Sequence, residues 1–499
     1  LKLTVANVKV IDTVDLYSAR SRNAFLSRAE ALKAGERGAI ERDLFFLLEA
    51  VERHQGKPQE PKPAPLEISP RDRAEALTFL RRPDLLDRVA ADMGTLGYVG
   101  EETNKQIGYL VAVSRKLDTP LSMVIMSQSG SGKSALADIL ETLTPPEDVI
   151  LFSRLTPQAL YYMDRDALVR KFILIEERAG SMDADYSIRT LQSKKKLILA
   201  VPIKDPSTGR IKTQVFEILG PAAFLETTTE SRIHHENSTR CFETYCDESQ
   251  EQTRRIHEAQ KRGKTLEGRA RASEREAIVR CHHTAQRLLE PVGVVIPFVP
   301  FISFPRGWLR TRRDHMRFLN LIETIAFLHQ HQREKKRDAE GRLFIEATIG
   351  DYGRAYSLAA ELLGHTLSDL KPPAAELLAS VKSLLSRKQG DTATRREIRE
   401  ATGLPDHRVI ALLAELVALE YLEAVVGSQG KAFRYRLAAP ASTAATILAG
   451  LTTPVELRKK LAGARSSSRQ DDFEKPLSKF SQGSLVIENK APETLARQL

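Results

Sequence analysis

The sequence predicts an α/β fold on a largely parallel sheet, led in by helices and followed by a small helical module. Three observations predict it. Short apolar runs alternate with helical periods from Leu121 to Leu225. The first run, Leu121–Met126, leads into Ser127-Gln128-Ser129-Gly130-Ser131-Gly132-Lys133-Ser134, which fits G-x-x-x-x-G-K-[ST] at all but its first position. Farther on, residues 375–438 read as three helices and a hairpin.

In chain order, residues 1–56 pass from β-like alternation (LTVANVKVI) into a charged helical stretch, Asn23–His54. Lys57–Pro65 is proline-rich and expected to be an extended spacer, closing a first segment at 1–66. Ser69-Pro70 is a helix start: serine accepts from free N–H groups, and proline fits the first turn. Helical patterning runs through Leu85–Met93, breaks at Gly97 and Gly100, and resumes to about Leu117, so 67–120 is a helical lead-in.

The core is expected over 121–335. Phe172–Ile175 is a second buried strand. Leu197–Ile203 and Ile211–Leu219 flank a turn holding Asp205, Pro206 and Gly209, a hairpin signal. Ala222–Leu225 is a further short strand. Residues 248–290 are charged and helix-prone, a solvated helix pair, and 314–334 form an amphipathic helix. After Ala438 the periodicity fades, so 439–499 is expected to be a disordered tail.

Composition bounds the function. The 499 residues are 42% hydrophobic and 28% charged, which excludes a wholly disordered chain. Three cysteines exclude a disulfide scaffold and fit a reducing, cytoplasmic setting. No apolar run reaches the roughly 18 residues of a membrane span, so no membrane partner is expected. The longest, Val292–Phe304, holds Pro297 and Pro300 and reads as a buried strand or loop. The start has no signal-peptide pattern and no initiator Met, as in a fragment of a longer chain. A net charge of +10 favours polyanions, nucleic acid first among them.

The loop 127–134 carries the chemistry. Ser129, Gly130, Ser131 and Gly132 let successive N–H groups curl around an anion at a helix N-terminus. Lys133 reaches the β- and γ-phosphates, and the Ser134 hydroxyl ligates Mg²⁺. The first position, Ser127, departs from the usual glycine. Glu176 and Glu177 follow the strand Phe172–Ile175, at the end of the sheet where such folds bind ligands. Glu176 is expected in the Mg²⁺ shell and Glu177 beside the attacking water. Adjacent acids after a strand also occur as a plain exposed edge.

The third strand ends in Glu226-Thr227-Thr228-Thr229; one of these threonines, with Thr229 the candidate at the strand's end, is expected to orient the water or sense the γ-phosphate. Arg240, shortly before Phe242, suits an arginine finger acting on a neighbouring subunit's nucleotide. Cys241, Cys246, Cys281, His282 and His283 have no zinc-knuckle spacing, and no zinc site is expected from them.

The order of P-loop, acidic strand, hairpin, Thr-ended strand and arginine resembles AAA+ ATPases. The hairpin just before the Thr-ended strand resembles that of superfamily 3 and minichromosome-maintenance-type helicases. Gly97–Gly100, Tyr109–Ser122, Leu155–Met163, Asp247–Thr253 and Arg312–His315 resemble the helicase portions of bacterial and mobile-element primase-helicases. The resemblance covers roughly residues 70–335. It implies homo-hexameric rings with ATP and Mg²⁺ at subunit interfaces and a primase region upstream or on a partner. It implies that hairpin tips move single-stranded DNA, here through Lys204, Arg210 and Lys212, which can hold phosphates without reading bases. It also implies a sensor-type arginine on the lid helix, Arg317, with Arg312 and Arg313 as competitors.

In the last module, expected over 373–438, helix, glycine turn, helix and hairpin make the winged helix-turn-helix pattern. Arg408 at the start of its third helix, with Lys431, Arg434 and Arg436 on the wing, would contact DNA, duplex DNA included. The leading expectation is a replicative ATP-dependent DNA helicase or translocase. Two rivals remain: an AAA+ regulator or origin-loading ATPase that does not unwind, and a winged-helix protein whose ATPase has become a nucleotide-sensing switch.

Overall fold

In the computed structural model the chain divides into two units, Leu1–Ser69 and Pro70–Leu499. The structure describes residues 2–5, 8–11, 13–31, 36–55, 67–156, 158–177, 184–204, 210–230, 233–305, 311–367, 372–388, 391–419, 421–425, 433–438 and 450–471. The first unit pairs β1 (Lys2–Val5) with β2 (Val8–Ile11) as an antiparallel hairpin. Helices α1 (Ala19–Ala31) and α2 (Arg37–Gln55) follow, burying Phe25, Leu26 and Ala29 with Ile40 and Leu44. The proline-rich spacer lies outside the described residues.

The second unit opens with α3 (Pro70–Leu80), α4 (Leu85–Leu96) and α5 (Glu102–Ser114). Helix α5 is buried from Asn104 to its end, so it shows no polar stripe. Then come β3 (Ser122–Met126), α6 (Lys133–Leu143), β4 (Val149–Phe152), β5 (Phe172–Ile175) and α7 (Ala184–Lys194). The hairpin β6 (Lys196–Lys204) and β7 (Ile211–Leu219) precedes β8 (Ala223–Thr228), α8 (His235–Ser238) and β9 (Phe242–Thr244). The main sheet has five strands in the order β4-β5-β8-β3-β9, every neighbour parallel.

Strands β3, β5 and β8 are buried along their whole length. Helices cover both faces of such a sheet, which is why β5 and most of β3 read as apolar runs, while β8 turns polar at Glu226, toward its exit. Strands β4 and β9 were not anticipated. β4 lies at an edge and is only partly buried, and β9 is three residues, Phe242-Glu243-Thr244. The hairpin forms its own two-stranded antiparallel sheet, from Lys196 opposite Leu219 to Lys204 opposite Ile211. Its base is anchored by Leu197 and Ile218, which pack with Ile173, Ile188, Leu191 and Phe224.

The charged region forms three helices, α9 (Gln250–Gly263), α10 (Leu266–Ala270) and α11 (Ala272–Leu288), rather than a pair. The first turn of α9 docks where Gln252 Nε2 donates to the Val99 carbonyl at 2.5 Å. Fully buried Arg115 joins α5 to its neighbours. It donates to Asp148 Oδ2 at 2.6 Å and to Gln286 Oε1 on α11 at 2.8 Å. Arg115→Met strands both partners and is expected to cost about 3–5 kcal/mol in urea denaturation, as for other broken buried pairs. A loss below about 1 kcal/mol would show that water replaces the guanidinium.

The chain continues through β10 (Gly293–Val295), α12 (Thr311–Leu328), β11 (Lys336–Arg337), β12 (Leu343–Glu346) and α13 (Ile349–Leu367). The last module comprises α14 (Pro372–Lys388), β13 (Ala393–Thr394), α15 (Arg395–Thr402), α16 (Asp406–Ala418), β14 (Leu422–Val425) and β15 (Arg434–Leu437). Its sheet runs β13-β15-β14, antiparallel, over a core of Leu377, Val381, Ile398, Val409, Leu413 and Leu416. A capping box between Thr394 and Glu397 starts α15.

The expectation of a disordered tail is corrected over 450–471. Helix α17 (Pro454–Asp471) forms there, Leu451 and Leu457 are buried, and Ser303 N donates to Thr452 Oγ1 at 2.8 Å. The rest of 439–499 lies outside the described residues. Among the described residues no helix is long and apolar enough to cross a membrane.

Candidate functional site

Strand β3 delivers the loop 127–134 to the edge of the sheet, and α6 begins at Lys133. Gly130 and Gly132 have φ of 82° and 103°, the left-handed region that glycine enters without strain. A Cβ on Gly130 would meet nothing within 4 Å, so the cradle is open. Ser127 has no positive φ and needs no glycine. Its hydroxyl accepts from Cys246 N at 2.7 Å and donates to the Met126 carbonyl at 2.6 Å, tying the loop to the end of β9. The departure from the pattern thus adds an anchor.

Lys133 is 8% exposed. Its Nζ donates to the carbonyls of Ser127 at 2.7 Å and Gln128 at 2.6 Å. Burial lowers its pKa from the usual lysine range, partly offset by Cys246, Glu248 and Glu177. The Cys246 thiol beside it is pushed up to about 11, chiefly by burial.

Glu176 and Glu177 stand at the exit of β5, where Glu176 N donates to the Phe152 carbonyl at 3.0 Å. A cavity of about 580 Å³ opens between them and the loop, lined by Ser129, Gly130, Gly132, Lys133 and Ser134 on one side. Glu176, Glu177, Ser153 and the Thr227–Thr229 run line the other. Ser134 and the two carboxylates offer only oxygen donors, a set that fits Mg²⁺. Thr227 Oγ1 donates to the Glu176 carbonyl at 3.1 Å, and Thr228 Oγ1 accepts from Glu230 N at 3.1 Å. Thr229 is the exposed member of the three. Ser153 was missed because its signal, strand β4, was missed.

The arginines sort differently. Arg240 does not line this cavity. One Nη donates to Ser193 Oγ, and its buried Nε finds no acceptor among the described residues. Its pKa is lowered by burial and by neighbouring Arg313 and Arg189. Arg189, unremarked in the sequence, pairs with Glu236 at 3.3 Å and belongs to this cationic group. Arg317 is corrected. It is 8% exposed, is ion-paired with Asp314, donates to the Cys241 carbonyl and lies 5.4 Å from the Phe242 ring centroid. It clamps α12 to β9 and does not line the phosphate cavity.

Of the proposed DNA contacts, Lys204, Arg210 and Lys212 are exposed at the outer end of the hairpin. Arg434 is exposed on β15, 3.4 Å from Thr392 Oγ1. Lys431 lies outside the described residues. Arg408 is corrected: it is ion-paired with Glu248 and only 13% exposed, so it faces the loop side of the core and not an open groove.

No curated protein matches the chain. Residues 68–290 match the family model described as the MTBMA_p00010 P-loop domain, a span that runs from the lead-in helices through the loop, the acidic strand and the hairpin to the end of α11. With the loop, the two carboxylates and the threonine strand around one cavity, the chain carries a P-loop nucleoside triphosphatase core similar to that domain.

Proposed function

We propose that the chain is an ATP-dependent DNA helicase or translocase of the AAA+ class, working as a homo-hexameric ring in replication. In this reading a primase region lies upstream or on a partner. The observation that carries it is the hairpin β6–β7. It is inserted between the acidic strand and the threonine strand, rooted in the same core as both, with Lys204, Arg210 and Lys212 at its exposed end. The sheet order supports the AAA+ assignment, and α14–α16 with their three-stranded sheet support a winged helix.

The chemistry follows from the cavity. Ser134 and Glu176 would hold Mg²⁺, which would supply neutralisation of phosphate charge when bound with ATP. Lys133 leaves its two carbonyls for the β- and γ-phosphates. Glu177 takes up the proton of the attacking water, and Thr229 fixes that water's position. Arg240, outside its own cavity and short of one acceptor, completes a neighbouring subunit's site.

ATP hydrolysis by the purified chain, with and without single-stranded DNA, tests the reading. Single-stranded DNA should raise the rate. Arg240→Ala should lose on the order of 10³-fold in turnover while keeping nucleotide affinity, the usual worth of an arginine finger. Normal turnover by that variant, with no effect of DNA, would remove the ring reading.

The rival reading, an AAA+ regulator or loader, shares the whole nucleotide site and differs in what the hairpin does. Charge reversal at Lys204 and Arg210 separates the two. A translocase loses stimulation by single-stranded DNA, and a loader keeps duplex binding.

A further inference from the structure

The last module packs against the first residues of the P-loop. A cavity of about 390 Å³ marks the seam, with Ser127, Gln128 and Cys246 on the core side and Ala374, His407 and Leu412 on the module side. At this seam Arg408, at the start of α16, forms its ion pair with Glu248 Oε2; the two side chains are 13% and 23% exposed. The other oxygen, Glu248 Oε1, accepts the backbone N–H of Gln128 at 3.1 Å. The carbonyl of the same Gln128 holds Lys133 Nζ at 2.6 Å. Arg408 is thus joined to Lys133 through one carboxylate and the backbone of one residue, Gln128.

Its surroundings are acidic. Asp247 adjoins Glu248, and its N–H donates to Glu101 Oε1 at 3.0 Å. Glu376, on α14, has its pKa raised by burial and then by Asp247 and Glu248, with Arg408 opposing. A half-buried carboxylate beside the loop repels an incoming triphosphate and competes with it for Lys133 unless a cation neutralises it.

We propose that Arg408 is a positioning residue of the nucleotide site: by neutralising Glu248 it lets the P-loop accept a nucleoside triphosphate, so nucleotide affinity depends on the last module being docked. Anything that draws the module away exposes the Glu248 charge at the loop and weakens nucleotide binding. This rests on the nucleotide site proposed above and not on unwinding or ring assembly.

The test uses the full chain, reading KM and kcat for ATP hydrolysis and the Kd of a fluorescent ATP analogue. Arg408→Ala should raise KM and Kd about tenfold, the scale of one uncompensated charge in a partly screened site, and change kcat less than about twofold. Arg408→Lys keeps the charge and should keep KM near that of the parent. Glu248→Gln should bring KM to the parent value or below. The double variant Arg408→Ala with Glu248→Gln should recover most of the loss, because the repelling charge is gone.

Unchanged KM in Arg408→Ala overturns the proposal. So does a double variant as weak as Arg408→Ala, since docking alone would then explain the loss. A parent chain that neither binds nor hydrolyses ATP overturns the nucleotide site itself, a result distinct from either.

Discussion

Lys133→Ala is expected to abolish nucleotide turnover, by a factor of at least about 10²–10³, the cost of removing one preorganised donor that stabilises developing negative charge. Without nucleotide the ammonium is held by the Ser127 and Gln128 carbonyls at 2.7 and 2.6 Å. Those bonds keep a charged group in place at 8% exposure, and in the proposed mechanism phosphate oxygens take them over when nucleotide binds. Alanine removes both the resting contacts and the phosphate contact. Hydrolysis assays beside binding of a fluorescent analogue separate the effects. Turnover near that of the parent would mean that the cavity beside the loop is not where the chain hydrolyses nucleotide.

Glu177→Gln should show the second largest effect, a fall in kcat of about 10²–10⁴, the usual range for a lost general base. Nucleotide binding should survive, because the loop and Lys133 are untouched. Glu176→Gln should differ in kind and raise the Mg²⁺ concentration needed for half-maximal rate. The geometry separates the pair: Glu176 is partly buried, with its carbonyl held by Thr227, while Glu177 is exposed and close enough to affect Lys133. A Mg²⁺ titration of both variants checks this. If the Mg²⁺ dependence moves in Glu177→Gln instead, the two roles are exchanged.

The parts of this fold that were legible in sequence are those whose burial is complete. Strands β3, β5 and β8 are buried end to end because the sheet has no open face there, and the apolar runs Met123–Met126, Phe172–Ile175 and Ala223–Leu225 lead to exits at the cavity. Lys133 and Ser134 could therefore be placed from the loop pattern after β3, and Glu176 and Glu177 from the exit of β5. Edge strand β4 and three-residue β9 carry too little pattern, and Ser153 was lost with β4. Helix α13 opens with two glycines in Ile349-Gly350-Asp351-Tyr352-Gly353, which masks its period.

The arginines failed for another reason. An arginine shows its charge in the sequence but not its partner. Arg317 is taken by Asp314 one turn back, a spacing that was readable. Arg408 is taken by Glu248, from a distant part of the chain, which was not. Ser127 is the converse: a mismatch to the motif that the fold uses as a bond to Cys246.

The anchoring of β6 and β7 has a mechanical consequence. Only the base of the hairpin is embedded, and each strand is nine residues long, so it forms an arm of about 30 Å at roughly 3.3 Å per residue. A tilt of about 10° at the base sweeps the far end through about 5 Å over an arm of that length. The pivot packs against Ile173 and Ile175 of the strand that ends in Glu176, and against Phe224 of the strand that ends in the threonines. In the proposed translocase, an ångström-scale shift of the packing around that base would move Lys204 and Ile211 several times as far.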